Sequence, residues 1–301
     1  MTVPGGRTLA PSTVELLERQ GLDVDDVVRV VATALEEDLR LGPDVTTLST
    51  VGPTARATGS VVPRERGVLA GLGVAVAVLD LVLGEDRELV HLGADGDPAV
   101  PGEPTLVVTA PAAGLLTAER TMLNLLCHLS GVATATDAWV RAVAGTHCRI
   151  RDTRKTLPGL RQLQKYAVRT GGGVNHRMAL GDAALIKDNH VVAAGGVVEA
   201  MRLVRAAAPG LHCEVEVDSL DQLDAVLAEG AELVLLDNFD VPTTAEAVRR
   251  RDAVAPRTGL ESSGGLTLAA AGDYARTGVD FVAVGALTHS VTVLDLGLDL
   301  D

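Results

Sequence analysis

Aromatic residues and cysteines are scarce in this sequence. Of 301 residues only two are Phe, two are Tyr and one is Trp, although 47% are hydrophobic. The core must therefore be built from Ala, Val and Leu. The three cysteines (Cys127, Cys148 and Cys213) are far apart and form no CxxC pair, which excludes a disulfide framework and a zinc site of the usual spacing. Their odd number fits a reducing compartment, and we expect a cytoplasmic protein.

Positive charge and long apolar segments are also scarce. The chain has 26 Lys and Arg residues against 40 Asp and Glu, a net charge of −14. This balance argues against general nucleic-acid binding, because neutralising phosphates needs a basic surface. The N-terminal segment MTVPGGRTLAPS lacks the apolar run of a signal peptide. The apolar segment Val68–Gly84 is short and contains Asp80, so we predict a buried helix there rather than a membrane span.

One stretch departs from this acidic composition. Arg151–Arg177 holds seven of the 26 basic residues and a single acid, Asp152. Three of its basic residues have helical spacing, which favours a solvated helix face for at least one or two of them: Arg161, Lys165 and Arg169. A second set, which includes a lysine beyond the stretch, falls in loops or at strand ends: Arg154, Lys155, Arg177 and Lys187. Four cations in one cavity would repel each other without a bound anion, so this set predicts a site for a small anion.

The pattern of apolar segments predicts two parts of different architecture. Up to residue 111, short β-like runs flank the apolar helix, which indicates a small α/β unit. A long helical run from Leu116 to Gly145 follows, with a break expected near Gly131. Beyond Gly145, short apolar strands alternate with helices, an order typical of a parallel sheet that is either open or forms most of a barrel. The predicted strands lie at 147–152, 183–189, 213–218, 232–238, 258–264 and 280–285.

Polar side chains occur at the ends of most of these predicted strands. Ligands of parallel β/α folds bind beyond the carboxyl ends of the strands, so these side chains are expected to converge. In the strand CEVEVD, alternation places Glu214, Glu216 and Asp218 on one face. A buried carboxylate needs a partner. The partner is either a ligand or a cation, or the acids pair internally with Arg149 and Arg151. No partner is needed if that face of the strand is exposed to solvent.

Two glycine-rich segments are candidates for close contact with a ligand. Ser262–Gly265 follows a strand and precedes a predicted helix, so its N–H groups are well placed to bind phosphate. Gly171–Gly173 is either a turn or a place where the backbone approaches a ligand, and it is not a P-loop. The histidines at 176, 190 and 289 lack the spacing of a metal cluster. Mg²⁺ held through a substrate's phosphates is compatible with the sequence, because it needs only one or two carboxylates.

These features predict a parallel β/α enzyme whose cavity is cationic on one side and carries carboxylates on the other. Several long motifs, moreover, resemble the quinolinate phosphoribosyltransferase family. They are RDTRKTLPGLRQLQKYAVRTGGGVNHRMALGDAALIKDNH, CEVEVDSLDQLDAVL, LVLLDNF, LESSGG and VDFVAVGALTHS, with LTAERTMLNLLCHLSG and, more loosely, EEDLRLGPDVTT upstream. The resemblance covers most of the chain from Glu36 to its end.

The resemblance implies a fold and a reaction. The expected fold is an N-terminal open-faced α/β sandwich (residues 1–128) joined to an incomplete parallel β/α barrel (residues 129–288), with a tail (about 289–301) that packs with the first domain. The expected reaction joins quinolinate to 5-phosphoribosyl-1-pyrophosphate with Mg²⁺ and gives nicotinate mononucleotide, pyrophosphate and CO₂, a step towards NAD. The resemblance also implies a homodimer whose active sites each include Arg120 from the other subunit.

The resemblance assigns roles to individual residues by motif. Arg154, Arg177 and Lys187 match the positions that receive the two quinolinate carboxylates. Thr153 and His176 match positions beside them, and Arg120 matches the arginine contributed across the dimer. The residues matching contacts to the phosphoribosyl substrate are Lys155, Glu216, Asp237, Asn238, Ser262, Ser263, Gly264, Ala283, Val284, Gly285 and His289. Those expected to be catalytic are Lys155, Lys187, Glu216 and Asp237. Glu216 and Asp237 are also the expected indirect ligands of Mg²⁺.

Three other functions are compatible with parts of the sequence. An aldolase-type barrel would use Lys187 or Lys155 as a Schiff-base nucleophile, but it would leave the ribose-type carboxylates without a role. A related transferase acting on nicotinate would release no CO₂. A metabolite-binding regulatory domain would bind its ligand without turnover.

Overall fold

The computed structural model describes residues 7–301. Contacts between Cα atoms divide the chain into two units. The first unit contains the described residues up to Ala135, Thr156–Gly171 and Ser290–Asp301, and the second contains Thr136–Lys155 and Gly172–His289. Residues 1–6 of the predicted N-terminal domain, and with them half of the segment considered for a signal peptide, lie outside the described residues. The domain boundary between residues 128 and 129 stays a prediction.

Helices and strands follow one another along the chain with short connections. Up to the long central helix the elements are α1 (Pro11–Arg19), α2 (Val24–Leu39), α3 (Val45–Thr50), β1 (Arg56–Pro63), β2 (Gly67–Val68), α4 (Leu72–Leu83), β3 (Glu88–Leu92), β4 (Pro98–Ala99), β5 (Leu106–Pro111) and α5 (Ala112–Ala142). The later elements are β6 (Arg149–Arg151), α6 (Arg161–Thr170), β7 (Ala184–Ile186), α7 (Asp188–Ala194), α8 (Val197–Ala207), β8 (Cys213–Val217), α9 (Leu220–Ala228), β9 (Leu233–Asp237), α10 (Val241–Val254), β10 (Gly259–Ser263), α11 (Leu268–Arg276), β11 (Phe281–Ala283), α12 (Ala286–His289) and β12 (Leu296–Leu300).

The first unit is built on a four-stranded antiparallel sheet in the order β12-β1-β5-β3. Val61 at the centre of β1 is paired with Leu106 on one side and with Leu298 on the other. Helix α4 contacts β5, α1 and α2, and all of its residues except Val82 are buried. The aliphatic core and the buried helix predicted from the sequence are therefore confirmed. Among residues 7–301, no helix is both long enough and apolar enough to cross a membrane.

Helix α4 carries a single charge, Asp80, which is 1% exposed. Its carboxylate accepts hydrogen bonds from Arg87 Nε at 2.6 Å and from the backbone N–H of Ala10 at 2.9 Å. Arg87 is also buried, so the ion pair is desolvated and each charge depends on the other. The pairing explains how an otherwise apolar helix accommodates an aspartate.

Helix α5 runs without interruption from Ala112 to Ala142, and the break predicted near Gly131 is wrong. Glycine is needed there for a different reason. A Cβ added at Gly131 would lie 2.3 Å from the carbonyl oxygen of Thr292 and 2.9 Å from Cα of Val293. The C-terminal tail therefore crosses the helix so closely that no side chain fits between them.

The second unit contains the six parallel strands that the sequence predicted, in the order β6-β11-β10-β9-β8-β7. Helices separate successive strands, and side chains cap two of them: Ser219 begins α9 and Asp240 begins α10. The sheet is curled, because Arg151 on β6 approaches Glu214 on β8 to 3.8 Å although three strands lie between β6 and β8 in the sheet order. The mixed α/β fold, with an N-terminal sheet unit and a C-terminal parallel barrel unit, is confirmed.

Candidate active site

A cavity of about 530 Å³ lies within the second unit, at the carboxyl ends of the parallel strands. Ligands bind at this edge in parallel β/α folds. Charged and polar side chains dominate the lining, which consists of Thr153, Arg154, Lys155, His176, Arg177, Leu185, Lys187, Asp188, Glu216, Leu235, Asp237, Glu261, Ser263, Gly264 and Ala283.

The basic stretch divides between the two units. Arg154, Lys155 and Arg177 line the cavity together with Lys187, which follows β7. Helix α6 carries the other predicted group into the first unit. There Arg169 is exposed as expected, but Lys165 is completely buried. The solvated face expected for at least one or two of the three residues is therefore present at Arg169, whereas Lys165 lies on the side of the helix that faces the core.

Two arginines of the cavity have hydrogen-bonding capacity that the described residues do not use. The Nε atoms of Arg154 and Arg177 are buried and have no hydrogen-bond partner among residues 7–301. The guanidinium of Arg177 is anchored through Nη1, which donates to the carbonyl oxygen of Ala183 at 2.9 Å. Burial, with the positive charge of Arg154 next, lowers the pKa of Arg177. An anion between the two guanidinium groups would accept hydrogen bonds from the Nε atoms and would offset the repulsion between the two positive charges.

Two carboxylates line the cavity from neighbouring strands. Glu216 on β8 lies 3.3 Å from Lys187 Nζ, measured from Oε2. Asp237 at the end of β9 accepts a hydrogen bond from Asn238 Nδ2 at 2.8 Å. Asp218, which alternation placed on the same face as Glu216, follows the end of β8 and is exposed outside the cavity. The cavity therefore has a carboxylate side formed by β8 and β9.

A buried ionic cluster lies at the bottom of the cavity. Glu261 Oε2 is 2.7 Å from Arg151 Nη1, and Glu214 Oε2 is 2.7 Å from His176 Nε2. The internal pairing considered for Glu214 thus occurs with Arg151 rather than with Arg149. Burial raises the pKa of both glutamates to about 7. Although His176 and the two glutamates are close enough together to hold a metal ion, the guanidinium of Arg151 already supplies the compensating positive charge.

The turn after β10 depends on glycine. Gly264 has φ +95°, and a Cβ there would lie 2.3 Å from Oδ1 of Asn238 and 2.9 Å from its backbone nitrogen. Asn238, with φ 58°, donates its backbone N–H to the carbonyl oxygen of Ser263 at 2.9 Å. The helix predicted after this turn is present as α11. Ser263 and Gly264 line the cavity, whereas Gly171–Gly173 does not, so the latter is a turn after α6.

Six predicted site residues do not line the cavity: Arg120, Asn238, Ser262, Val284, Gly285 and His289. Gly285 lies directly behind the lining, since a Cβ there would be 2.9 Å from Cδ of Lys155 and 3.5 Å from both Thr153 Oγ1 and His289 Nε2. Asn238 contacts the cavity residue Asp237. Ser262 and Val284 are buried in their strands or just after them. Arg120 belongs to the first unit, and its side chain is 67% exposed.

Four lining residues were not predicted: Leu185, Asp188, Leu235 and Glu261. Asp188 follows Lys187 directly and could have been found as a strand-end residue. Glu261 could have been found from alternation, because it lies two residues before Ser263 on the same strand face. The leucines provide an apolar surface among the charges, and no pattern in the sequence distinguishes them from core residues.

The second unit defines a class of protein: a partial parallel β/α barrel whose cavity suits a ligand with several negative charges and with hydroxyl groups. The guanidinium groups fit carboxylates or phosphates. The carboxylates of β8 and β9 fit hydroxyl groups or a cation.

Comparison with known proteins identifies the family. Residues 44–130 and 132–299 match the N-terminal and C-terminal domains of quinolinate phosphoribosyl transferase. A carboxylating nicotinate-nucleotide pyrophosphorylase of Mycobacterium leprae is 65% identical over 271 residues, which cover 90% of this chain and 95% of the relative. The structure of the nicotinate-nucleotide pyrophosphorylase from Francisella tularensis is 35% identical, covers 92% of this chain and 96% of its own, and has a TM-score of 0.86. The chain belongs to the quinolinate phosphoribosyltransferase family, as its motifs predicted.

Proposed function

We propose that this enzyme transfers the phosphoribosyl group of 5-phosphoribosyl-1-pyrophosphate to quinolinate with loss of CO₂, giving nicotinate mononucleotide and pyrophosphate for NAD synthesis. Family membership and the carboxylating relatives support the reaction. The observation that carries the proposal is one cavity lined both by Arg154 and Arg177, whose buried Nε atoms have no hydrogen-bond partner among residues 7–301, and by the carboxylates of Glu216 and Asp237. This arrangement suits a dicarboxylate on one side and a sugar on the other.

Each side of the cavity then binds one part of the substrates. Arg154, Arg177 and Lys187 bind the two carboxylates of quinolinate, with Thr153 beside them. Glu216 and Asp237 hold the ribose hydroxyls. The remaining contacts go to the phosphate groups and their surroundings, through Lys155, Asn238, Ser262, Ser263, Gly264, Ala283, Val284, Gly285 and His289. Leu185 and Leu235 supply an apolar surface for the pyridine ring.

The chemistry follows from this placement. The ring nitrogen of quinolinate attacks the anomeric carbon while the bond to pyrophosphate breaks, through an oxocarbenium-like transition state. Glu216 and Asp237 lie on the side where positive charge develops, and Lys155 and Lys187 stabilise the departing and bound anions. The quaternised nitrogen then favours loss of the adjacent carboxylate as CO₂, and the ring carbon takes up a proton. Most of the rate enhancement comes from positioning and electrostatics.

We expect the reaction to use Mg²⁺ bound largely through the pyrophosphate. Glu216 and Asp237 fit such an ion, because both offer carboxylate oxygens at the cavity surface and Mg²⁺ prefers oxygen ligands with few protein contacts. When bound, Mg²⁺ would neutralise part of the pyrophosphate charge. The two carboxylates would orient the ribose and the ion together.

The active site is proposed to include Arg120 of a second subunit in a homodimer. The exposed side chain of Arg120, with only Glu119 nearby at 4.0 Å in the described structure, supports a role outside its own subunit. Mixing Arg120→Ala subunits with Lys187→Ala subunits should restore part of the activity, because one composite site per dimer would be intact. Absence of recovery in mixed dimers verified by mass spectrometry would contradict the shared site.

A single assay tests the proposed reaction. Purified protein is incubated with carboxyl-labelled quinolinate, phosphoribosyl pyrophosphate and Mg²⁺, and the product is identified by mass while released CO₂ is counted. Nicotinate in place of quinolinate serves as the control and should give no labelled CO₂ and little product. Turnover of nicotinate, or borohydride trapping of a lysine adduct, would instead favour one of the alternative enzymes.

We also propose a cytoplasmic location. The three cysteines are free thiols, which is typical of a reducing compartment. Immunodetection in fractionated cells tests this location, and recovery of the enzyme with an oxidising compartment would contradict it.

A further inference from the structure

The buried cluster below the cavity is held by alternate strands of the barrel. Arg151 on β6, Glu261 on β10 and Glu214 on β8 are separated by one strand each in the sheet order. Side chains from alternate strands share a layer inside such barrels, and branched apolar residues usually fill it. Here the layer is ionic: Arg151 Nη1 lies 2.7 Å from Glu261 and 3.8 Å from Glu214. The layer fixes the position of the Glu214 carboxylate.

His176 connects this layer with the anion-binding arginine next to it. Its backbone N–H donates to Asp152 Oδ1 at 2.8 Å. Its ring nitrogen Nδ1 accepts the backbone N–H of Arg177 at 2.6 Å. Its other ring nitrogen, Nε2, lies 2.7 Å from Glu214 Oε2. The imidazole therefore bridges the peptide group of Arg177 and the carboxylate of Glu214.

These contacts decide where the ring proton is. An Nδ1 atom that accepts an N–H carries no hydrogen, so the single hydrogen of the neutral ring must be on Nε2. That hydrogen is donated to Glu214. A metal ion on Nε2 would need this nitrogen to be unprotonated as well, so the geometry favours a hydrogen bond over metal binding.

We propose that Glu214 is a positioning residue that acts through His176, holding the ring as the Nε2–H tautomer so that Nδ1 fixes the peptide group of Arg177. This inference rests on the proposed function and adds to it a role for His176, which supports the peptide group of the substrate-binding Arg177. Burial raises the pKa of Glu214 to about 7, and the positive charges of Arg151, Arg177 and Lys187 oppose that shift. These cations therefore favour the carboxylate form, which accepts from Nε2.

The first test measures the tautomer directly. The ¹⁵N NMR spectrum of protein labelled in histidine, with His176 assigned from the signals missing in His176→Gln, should show a neutral ring protonated on Nε2 at pH 7.5. Saturating quinolinate should leave that pattern unchanged. An Nδ1–H tautomer, a doubly protonated ring or a change of tautomer on adding quinolinate would overturn the proposal. This readout needs no turnover, so it is distinguishable from failure of the proposed reaction.

The second test separates positioning from general structural damage. Glu214→Leu removes the acceptor and should raise KM for quinolinate about tenfold with kcat little changed, as for loss of a hydrogen bond that acts on binding. Glu214→Gln keeps an acceptor oxygen and should recover most of the affinity and the Nε2–H signature. Thr258→Val is the control, because it removes a buried hydrogen bond to Ala231 before the start of β10; it should leave KM unchanged.

A double variant tests whether Glu214 acts through the imidazole. If it does, Glu214→Leu combined with His176→Ala should raise KM no further than His176→Ala alone. Additive effects of the two changes, or an equal KM in Glu214→Leu and wild type, would overturn the proposal. If Glu214→Leu does not fold, the comparison of Glu214→Gln with His176→Ala and the NMR signature of Glu214→Gln decide in its place.

Discussion

Buried charge is treated in opposite ways around helix α4 of the first unit and around the cavity of the second unit. In the first unit the Asp80 carboxylate is enclosed by Arg87 and the N–H of Ala10. Asp95 likewise accepts hydrogen bonds from the N–H groups of Gly71 and Leu72 and from the hydroxyl of Tyr166. These acids are satisfied by the fold itself, and they hold the apolar helix α4 in place.

In the second unit, buried polar atoms around the cavity lack protein partners. Within the described structure these atoms are Arg154 Nε, Arg177 Nε, Glu214 Oε1, Glu261 Oε1 and Ser262 Oγ. Leaving such groups unpaired destabilises a folded protein unless a ligand uses them. A buried charge whose hydrogen-bond partners belong to the protein therefore indicates a structural role. A buried charge at a cavity with unused hydrogen-bonding capacity indicates ligand binding. Substitutions in the two units should accordingly separate loss of stability from loss of function.

The largest effect is expected for Arg87→Ala in the first unit. The change leaves Asp80 buried without its counter-ion, and removing one partner of a buried pair destabilises by about 3–5 kcal/mol. Urea denaturation should show this loss, while the activity of the molecules that remain folded is unchanged. Arg64→Ala is the matched control, because its pair with Asp299 is solvent-exposed and should contribute little. Equal stability of Arg87→Ala and wild type would contradict a structural role.

Arg154→Ala in the second unit should weaken quinolinate binding without destabilising the fold, which is the reverse of the result expected for Arg87→Ala. Removing one partner of a buried charge contact weakens binding by roughly 2–5 kcal/mol, so quinolinate affinity should fall steeply. The unfolding free energy should not decrease, because the change relieves repulsion with Arg177 and removes an unpaired Nε. Calorimetric titration and urea denaturation measure the two quantities.

The control for Arg154→Ala is Arg202→Ala, which removes an exposed arginine of the same unit from its pair with Glu229. It should change neither the affinity for quinolinate nor the stability noticeably. Unchanged quinolinate affinity in Arg154→Ala would remove Arg154 from the binding site, and a large loss of stability would show that its role is structural.

Sequence reasoning was most successful where a local pattern of residues determines the structure. Alternation and chain order predicted the parallel strands and the strand-end residues Lys187, Glu216 and Asp237, because each strand contains its own pattern. It failed where the determinant is a contact with a distant segment. Gly131 was interpreted as a helix break, whereas it allows close approach of Thr292.

The division of the basic stretch was also inaccessible to sequence reasoning. Helical spacing in α6 predicts a face but not which side of the unit that face meets, so it could not separate the exposed Arg169 from the buried Lys165. Alternation places Glu261 on the same strand face as Ser263, but its ion pair is not visible in the sequence, because the partner Arg151 lies 110 positions away. Patterns thus predicted which residues share a strand face, and the fold decides which faces meet.

Tyr166→Phe tests Asp95, an acid of the first unit whose hydrogen-bond donors come from the protein itself, and a moderate loss of stability is expected. The change removes one donor to Asp95, whose backbone donors Gly71 and Leu72 remain, so stability should fall by about 0.5–1.5 kcal/mol. Burial raises the pKa of Asp95 and the Tyr166 hydroxyl opposes that shift, so the pKa should rise further in the variant. Urea denaturation checks the stability, and quinolinate affinity should stay at the wild-type value. A loss of affinity would show that α6 contributes to the site.

The smallest effect is expected in the pH dependence of stability in Glu261→Gln. Burial raises the pKa of Glu261 and Glu214 to about 7 from a usual value of 4.5. The folded state therefore binds protons more tightly than the unfolded state, so the pair's contribution to stability is complete below pH 4.5 and is lost as the pH rises through 7. Glutamine carries no titrating proton, so the decline between these values should be shallower in the variant.

Urea denaturation at intervals from pH 4.5 to pH 8 measures this slope in both proteins. Glu232→Gln is the control, because Glu232 is exposed and its substitution should leave the slope as in wild type. A steeper decline in Glu261→Gln would mean that the buried glutamates are ionised in the folded protein. The ionic layer would then resemble the saturated pair Asp80–Arg87, with Arg151 compensating both acids, and the contrast between the two units would be confined to the arginines of the cavity.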